Sequence, residues 1–199
     1  MSKFYDLQEK RRSIYSLGKN VKQSPDELVS VIQKAIQQAP TAFHSQTVRA
    51  VTLFGESNDK LWDIVAKRLK SEVPTEEAYQ KTLQKINSFK ASFATVMFFT
   101  DTDVVADLEK NFPLYADNFY DWSEQGQGIA IYSVWETLAE MDLGANLQHY
   151  NPIIDDLVKE AFNIPDNWRL RGQLDFGSIE GSVNEKEFMP ESEQFKVFK

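Results

Sequence analysis

Hydrophobic positions along the chain follow two rhythms, one helical and one alternating, with punctuated boundaries between them. Residues 3–9 read as a short helix leading into Arg11-Arg12. At Ser24-Pro25-Asp26-Glu27 three start signals agree: serine as N-cap, proline at the first helical position, and glutamate completing a capping box. Leu28, Val31, Ile32, Ala35 and Ile36 then fall on one face, and Pro40 lies beyond the end. Thr47 to Phe54 is rich in β-formers and stops at Gly55, which predicts a strand. Helical spacing resumes over 57–71 and again from Pro74-Thr75 to about Asn87. Phe93 to Thr100 is apolar nearly throughout, as expected of a strand covered on both faces.

Two short helices are predicted near 103–111 and 113–119, then a long one from Trp122 to Asp142, closed by Gly144. Ile129, Ile131, Tyr132, Val134, Trp135, Leu138 and Met141 leave that helix almost no polar face, so it belongs in a core or against a second subunit. Leu147 to Tyr150 reads as a short strand, 153–162 as a helix, Trp168 to Phe176 as a strand, and 177–191 as a loop. The tail Phe195-Lys196-Val197-Phe198-Lys199 alternates apolar and basic residues and is expected to dock on something, such as a neighbouring subunit's sheet edge. No repeat or linker interrupts residues 1–199, which read as one domain. Strands separated by helices give an α+β or α/β fold, helices on both sides of a small mixed sheet.

Composition narrows the classes. With 42% hydrophobic and 13% aromatic residues the chain has ample material for a core. No apolar run reaches the length of a membrane span, and Met1 to Asp6 lacks a signal-peptide core. Cysteine is absent, which removes disulfides and thiol chemistry; the plain reading is a cytosolic protein. A net charge of −8 argues against polyanion binding. Yet residues 1–25 carry Lys3, Lys10, Arg11, Arg12, Lys19 and Lys22 against only Asp6 and Glu9. That island suits one small anion, or else is a solvated charged face.

Side-chain chemistry of the familiar kinds is missing. His44 and His149 stand far apart without a second ligand at metal spacing, and there is no nucleophile elbow. Gly126-Gln127-Gly128 begins like a dinucleotide fingerprint, but Ile131 replaces the third glycine and no strand precedes it. An enzyme of this composition points to a cofactor that carries the reaction. Three clusters then stand out. Arg11-Arg12-Ser13 offers two guanidinium forks and a hydroxyl for a phosphate, though such triplets are often plain surface. Pro40-Thr41-Ala42-Phe43-His44-Ser45-Gln46 is a polar loop between helix and strand, functional or an ordinary connection. Asn146-Leu147-Gln148-His149-Tyr150-Asn151-Pro152 packs amides and an imidazole together, with His149 either structural or functional.

Taken in order, an R-R-S triplet, a P-x-x-x-x-S-Q loop and an N-L-Q-H-Y-N-P run resemble the FMN-dependent nitroreductase family. The resemblance extends over essentially the whole chain to Glu185-Lys186-Glu187-Phe188. It is narrower with a bacterial and fungal branch described as nitroreductase-like, copper-induced or fatty-acid-repression proteins. It implies an α/β/α-layered α+β fold with a small, mainly antiparallel sheet and the long helix at a dimer interface. It also implies a homodimer holding two FMN molecules between subunits. Arg11, Arg12, Ser13 and Lys186 would hold the phosphate end. Pro40, Thr41, His44, Ser45 and Gln46 would approach from the partner, and Leu147, Gln148 and His149 would lie along the flavin.

Two positions depart from the wider family's pattern. Tyr15 stands where many relatives keep a cation by the flavin, and His44 replaces the usual asparagine before Ser-Gln. The implied activity is transfer of electrons from NAD(P)H to nitroaromatics or quinones by a ping-pong mechanism. Gln148 and His149 are the nearest side chains for tuning. The alternative is a flavin-binding stress or regulatory protein with incidental turnover.

Overall fold

A computed structural model describes residues 3–183 and 185–199; Met1, Ser2 and Asn184 lie outside the described residues. Helix α1 (Lys3–Lys10) buries none of its residues. Helix α2 (Pro25–Gln38) begins as its sequence predicts: Ser24 Oγ accepts from the Glu27 amide, and Glu27 Oε2 accepts from the Ser24 amide at 2.8 Å. Its Leu28 and Ile32 are buried. Strand β2 (Val48–Phe54) leads into α3 (Gly55–Leu69), α4 (Glu76–Lys90) and strand β3 (Ala94–Asp101). Every residue of β3 is buried, the two-sided cover its apolar run predicts.

The second half departs more from the pattern. Helix α5 (Thr102–Asn111) is followed by a 3-10 turn and then by α6 (Ala116–Glu140). The two helices expected over 113–142 are therefore mostly one, of 25 residues. Gly126 sits within it because a side chain there would press on Thr41 Cγ2, at 3.1 Å from a Cβ. The helix ends at Met141 and Asp142, whose φ of 60° takes the left-handed turn, and not at Gly144. That glycine already belongs to strand β4 (Gly144–Gln148). A Cβ on it would stand 2.9 Å from side-chain atoms of Ile14, Leu17 and Ile179. After α7 (Asp155–Phe162), strand β5 (Trp168–Ile179) runs past the predicted end at Phe176. It continues because β1 (Leu17–Gly18), a two-residue strand with no sequence signal, pairs with Ile179 and Ser178. A last short helix, α8 (Glu191–Gln194), precedes the tail.

The five strands pair antiparallel throughout, with β5 at the centre bonded to β1, β3 and β4, and β2 beyond β3. Among the described residues the one parallel bridge joins Ser13 and Ala145. Two apolar cores flank the sheet. One gathers Leu28, Ile32, Val96, Phe98, Val134, Leu138 and Phe176 under α2 and α6. The other gathers Trp62, Phe89, Met97, Phe99, Val158 and Leu170 under α3, α4 and α7. The result is the layered α+β architecture. Among the described residues no helix is long and apolar enough to cross a membrane.

Candidate functional site

Two stretches far apart in sequence meet along β4. Helix α1 closes with the Arg11 amide donating to Leu7 O at 2.9 Å, and the chain then runs beside the strand. The Ile14 amide donates to Ala145 O at 2.9 Å. Asn146 Nδ2 donates back to the Ile14 carbonyl at 2.7 Å. These bonds pin Arg11-Arg12-Ser13 beside the Asn146–His149 run, a placement that plain basic surface would not require.

Alternation along β4 sorts that run. Leu147 and His149 face a cleft of about 590 Å³ whose walls include Arg11 and Ser13. Asn146 and Gln148 point to the other side of the sheet. There Gln148 Nε2 donates to Asn146 Oδ1 at 2.6 Å, and both are buried. The Gln148 side chain is therefore turned away from the cleft, whereas the exposed His149 lines it. The facing wall is one stripe of α6: Glu124, Gln127, Gly128, Ile131, Tyr132 and Trp135. A concavity of this volume, apolar at its middle and polar at its ends, has the character of a small-molecule site.

Charge concentrates at one end. The Arg11 guanidinium lies 4.8 Å over the Trp135 ring, with Nε 3.5 Å from the buried Glu136 carboxylate. Lys186, from near the C-terminus, donates to Gln8 O at 3.1 Å. Its ammonium is held below the usual lysine range, by desolvation first and then by the neighbouring positive charges of Arg11 and Arg12. Arg11 thus lines one end of the cleft with Lys186 and Arg12 in electrostatic reach of each other beside it, among the opposing charges of Glu136 and Glu9. An anion is the partner that such crowding favours.

The remaining candidates lie elsewhere. Tyr15 is 57% exposed. In the loop 40–46 the Thr41 hydroxyl accepts from the Gln46 amide at 3.1 Å. Phe43, His44 and Gln46 all take positive φ, at 57°, 52° and 50°. Such backbone costs on the order of 1–3 kcal/mol at each non-glycine position and tends to persist where function uses it. The Phe43 ring packs on Phe119 and Trp122 of α6, with centroids 5.3 and 6.0 Å away. At 100° per residue those positions lie nearly opposite the stripe that lines the cleft. Helix α6 therefore separates Pro40, Thr41, His44, Ser45 and Gln46 from the cleft of their own chain.

Sequence reasoning missed the α6 wall and Arg171. The helix reads as uniformly apolar, so its cleft-facing stripe has no signature of its own. Arg171 sits at an irregularity in β5, where Phe98 and Phe99 of β3 pair with Gly172 and Leu170 and leave it unmatched.

Comparison with known proteins agrees with this geometry. The nitroreductase family model matches residues 9–178. Two Saccharomyces cerevisiae proteins match over 90% of this chain and 89% of their own lengths. They are HBN1, 36% identical over 181 residues, and the nitroreductase FRM2, 33% identical over 183. The nitroreductase CinD from Lactococcus lactis, solved in complex with nicotinic acid, superposes with a TM-score of 0.91 at 50% identity, covering 98% of this chain and all of that one. On this evidence the chain belongs to the nitroreductase family of oxidoreductases.

Proposed function

We propose that the protein binds FMN and passes electrons from NADH or NADPH to flat acceptors such as nitroaromatics and quinones. It does so in two half-reactions at one site, as a homodimer in the cytoplasm. The observation that carries this reading is the cleft itself, with Arg11 and the Ser13 segment at one end, Arg12 and Lys186 close by, and an apolar middle. When bound, FMN supplies the electron relay, and the protein supplies position and electrostatics.

The residues present fit that group. Arg11, Arg12, Ser13 and Lys186 would hold the phosphate through charge-assisted hydrogen bonds. Leu147, Ile131 and Trp135 give the cleft apolar walls against which a flat ring would pack, and His149 lines it on the strand side. Since α6 stands between the loop 40–46 and its own cleft, Pro40, Thr41, His44, Ser45 and Gln46 serve the cleft of a second copy. CinD has been solved with chloramphenicol, nicotinic acid and 4-nitrophenol. Those are small aromatic ligands of the kind a flat-walled cleft accepts.

The purified protein is expected to be yellow and to release FMN on denaturation. A colourless protein that cannot be reconstituted with FMN would sink the reading. The uncharged, exposed Tyr15 favours a second reading, a flavin-binding stress or regulatory protein with incidental turnover. Steady-state oxidation of NADH and NADPH with a quinone separates the two, since negligible flavin reduction supports the second.

A further inference from the structure

The end of the cleft away from Arg11 carries a charge pair that the family resemblance did not bring forward. Arg171 is the extra residue of β5, unmatched between Gly172 and Leu170. A bulge of this kind breaks strand alternation and re-aims a side chain. Here it sets the Arg171 guanidinium in the cleft wall, where it pairs with Glu124 of α6. Both side chains are largely covered, at 21% and 27% exposed. Arg171 Nε and Glu124 Oε1 are buried without a hydrogen-bond partner. Two residues earlier on β5, Arg169 lies 5.3 Å over the Tyr120 ring and donates to its hydroxyl at 2.8 Å. These two contacts brace this half of α6 against the sheet.

Glu124 and Trp135 are separated along α6 by about 16 Å at the helical rise. An elongated ligand with its phosphate held by Arg11 would have its other end toward Glu124 and Arg171. Resting on the FMN reading, we propose that the Arg171–Glu124 pair sets the electrostatic balance felt by the flavin ring and so poises its reduction potential. Tyr15, uncharged and exposed, does not supply that cation. A nearby cation favours the extra negative charge of reduced flavin, and a nearby carboxylate opposes it. The two effects are stronger between partly covered groups than in open water, and they largely offset each other in the intact pair.

The test is the midpoint potential of protein-bound FMN in wild type, Arg171→Gln, Arg171→Lys and Glu124→Gln. Arg171→Gln is expected to lower it and Glu124→Gln to raise it. Each shift corresponds to at least a tenfold change in preference for reduced over oxidised FMN, about 30 mV for a two-electron couple. Arg171→Lys is expected to restore most of the loss, since it keeps the charge but not the fork. If Arg171→Gln does not fold, the rise in Glu124→Gln and the retained potential of Arg171→Lys decide. Wild-type potential in the Gln variants, shifts of the same sign, or a lysine variant as low as the glutamine one would overturn the inference and leave the pair a structural brace. Wild-type protein that holds no FMN overturns the functional reading and this inference with it.

Discussion

Arg11 shows how one side chain acquires a role from its surroundings. Its guanidinium is stacked on Trp135 and steered by Glu136, so it reaches the cleft already oriented. Arg11→Ala is expected to weaken FMN binding roughly 10- to 100-fold, the worth of one charge-assisted hydrogen bond, as read by fluorescence titration. Unchanged affinity would remove it from the phosphate site. Asp175 poses a different residue-scale problem. It is fully buried on β5, opposite Asn146, and its oxygens lack a partner of good geometry. Burial holds its carboxyl well above the ordinary carboxylate range. An acid raised in the folded state binds its proton more tightly there than in the unfolded chain. Its contribution is therefore most favourable below about pH 4 and is lost as pH rises toward the folded value, by up to about 1.4 kcal/mol per unit. Asp175→Asn should gain on wild type in melting temperature between pH 4 and pH 8; a difference independent of pH would contradict this. Nothing in the alternation of Trp168 to Phe176 announces the buried acid, because a strand pattern says which residues share a face and not how deeply that face is covered.

At the scale of elements, legibility followed the density of local signals. Helix α2 was readable to the residue because serine, proline and glutamate each specify the same start. The two-sided burial of β3 was readable from its apolar run alone. The sequence predicts two pieces, 113–119 and Trp122 to Asp142, where the chain has one helix from Ala116 to Glu140. Tertiary contact decides otherwise: Gly126 admits Thr41, and the helix runs on. Strand β1 and the extension of β5 were unreadable for the same reason, since each exists only because the other is present. Gly144 was placed at a helix end, its commonest use, when it is needed for packing. Gly144→Ala is expected to destabilise the fold by about 1–3 kcal/mol through overpacking against Ile14, Leu17 and Ile179, and to loosen FMN retention because Ile14 adjoins Ser13. Chemical denaturation and flavin release on the same preparation check both, and a variant of wild-type stability would show that these side chains yield freely.

Seen as a whole, the molecule leaves apolar surface where a single chain has no use for it. Ile129 projects from the long helix, and Phe195, Val197 and Phe198 of the tail are 60%, 77% and 92% exposed. The expectation that α6 is enclosed all round is therefore met on one side only within one chain. A second copy would cover the rest and bring its 40–46 loop to the cleft. Light scattering should return about twice the 22.9 kDa chain mass, and truncation after Gln194 should shift that mass toward the monomer or accelerate flavin loss. A monomer that retains FMN would count against the shared site. The family, the layered fold and the cluster around Arg11 and His149 were legible in the sequence. The cleft's other wall was not, because it belongs to a helix whose apolar pattern serves a core, a cleft and an outer surface at once.

The hydrogen bonds that tie Ile14 to β4 have a consequence for the lifetime of the chain. Helix α1 buries nothing of its own and is held by that short splice, by Gln8 donating to the Tyr132 hydroxyl, by Lys10–Asp142 and by Lys186. A bound phosphate bridging Arg11, Arg12 and Lys186 would clasp both ends of the polypeptide to the body at a single point. Loss of such a cofactor would free the N-terminus and the C-terminal tail together, and the flavin-free chain would then be the form that proteases find first. Cofactor supply would then govern the abundance of the protein as well as its activity.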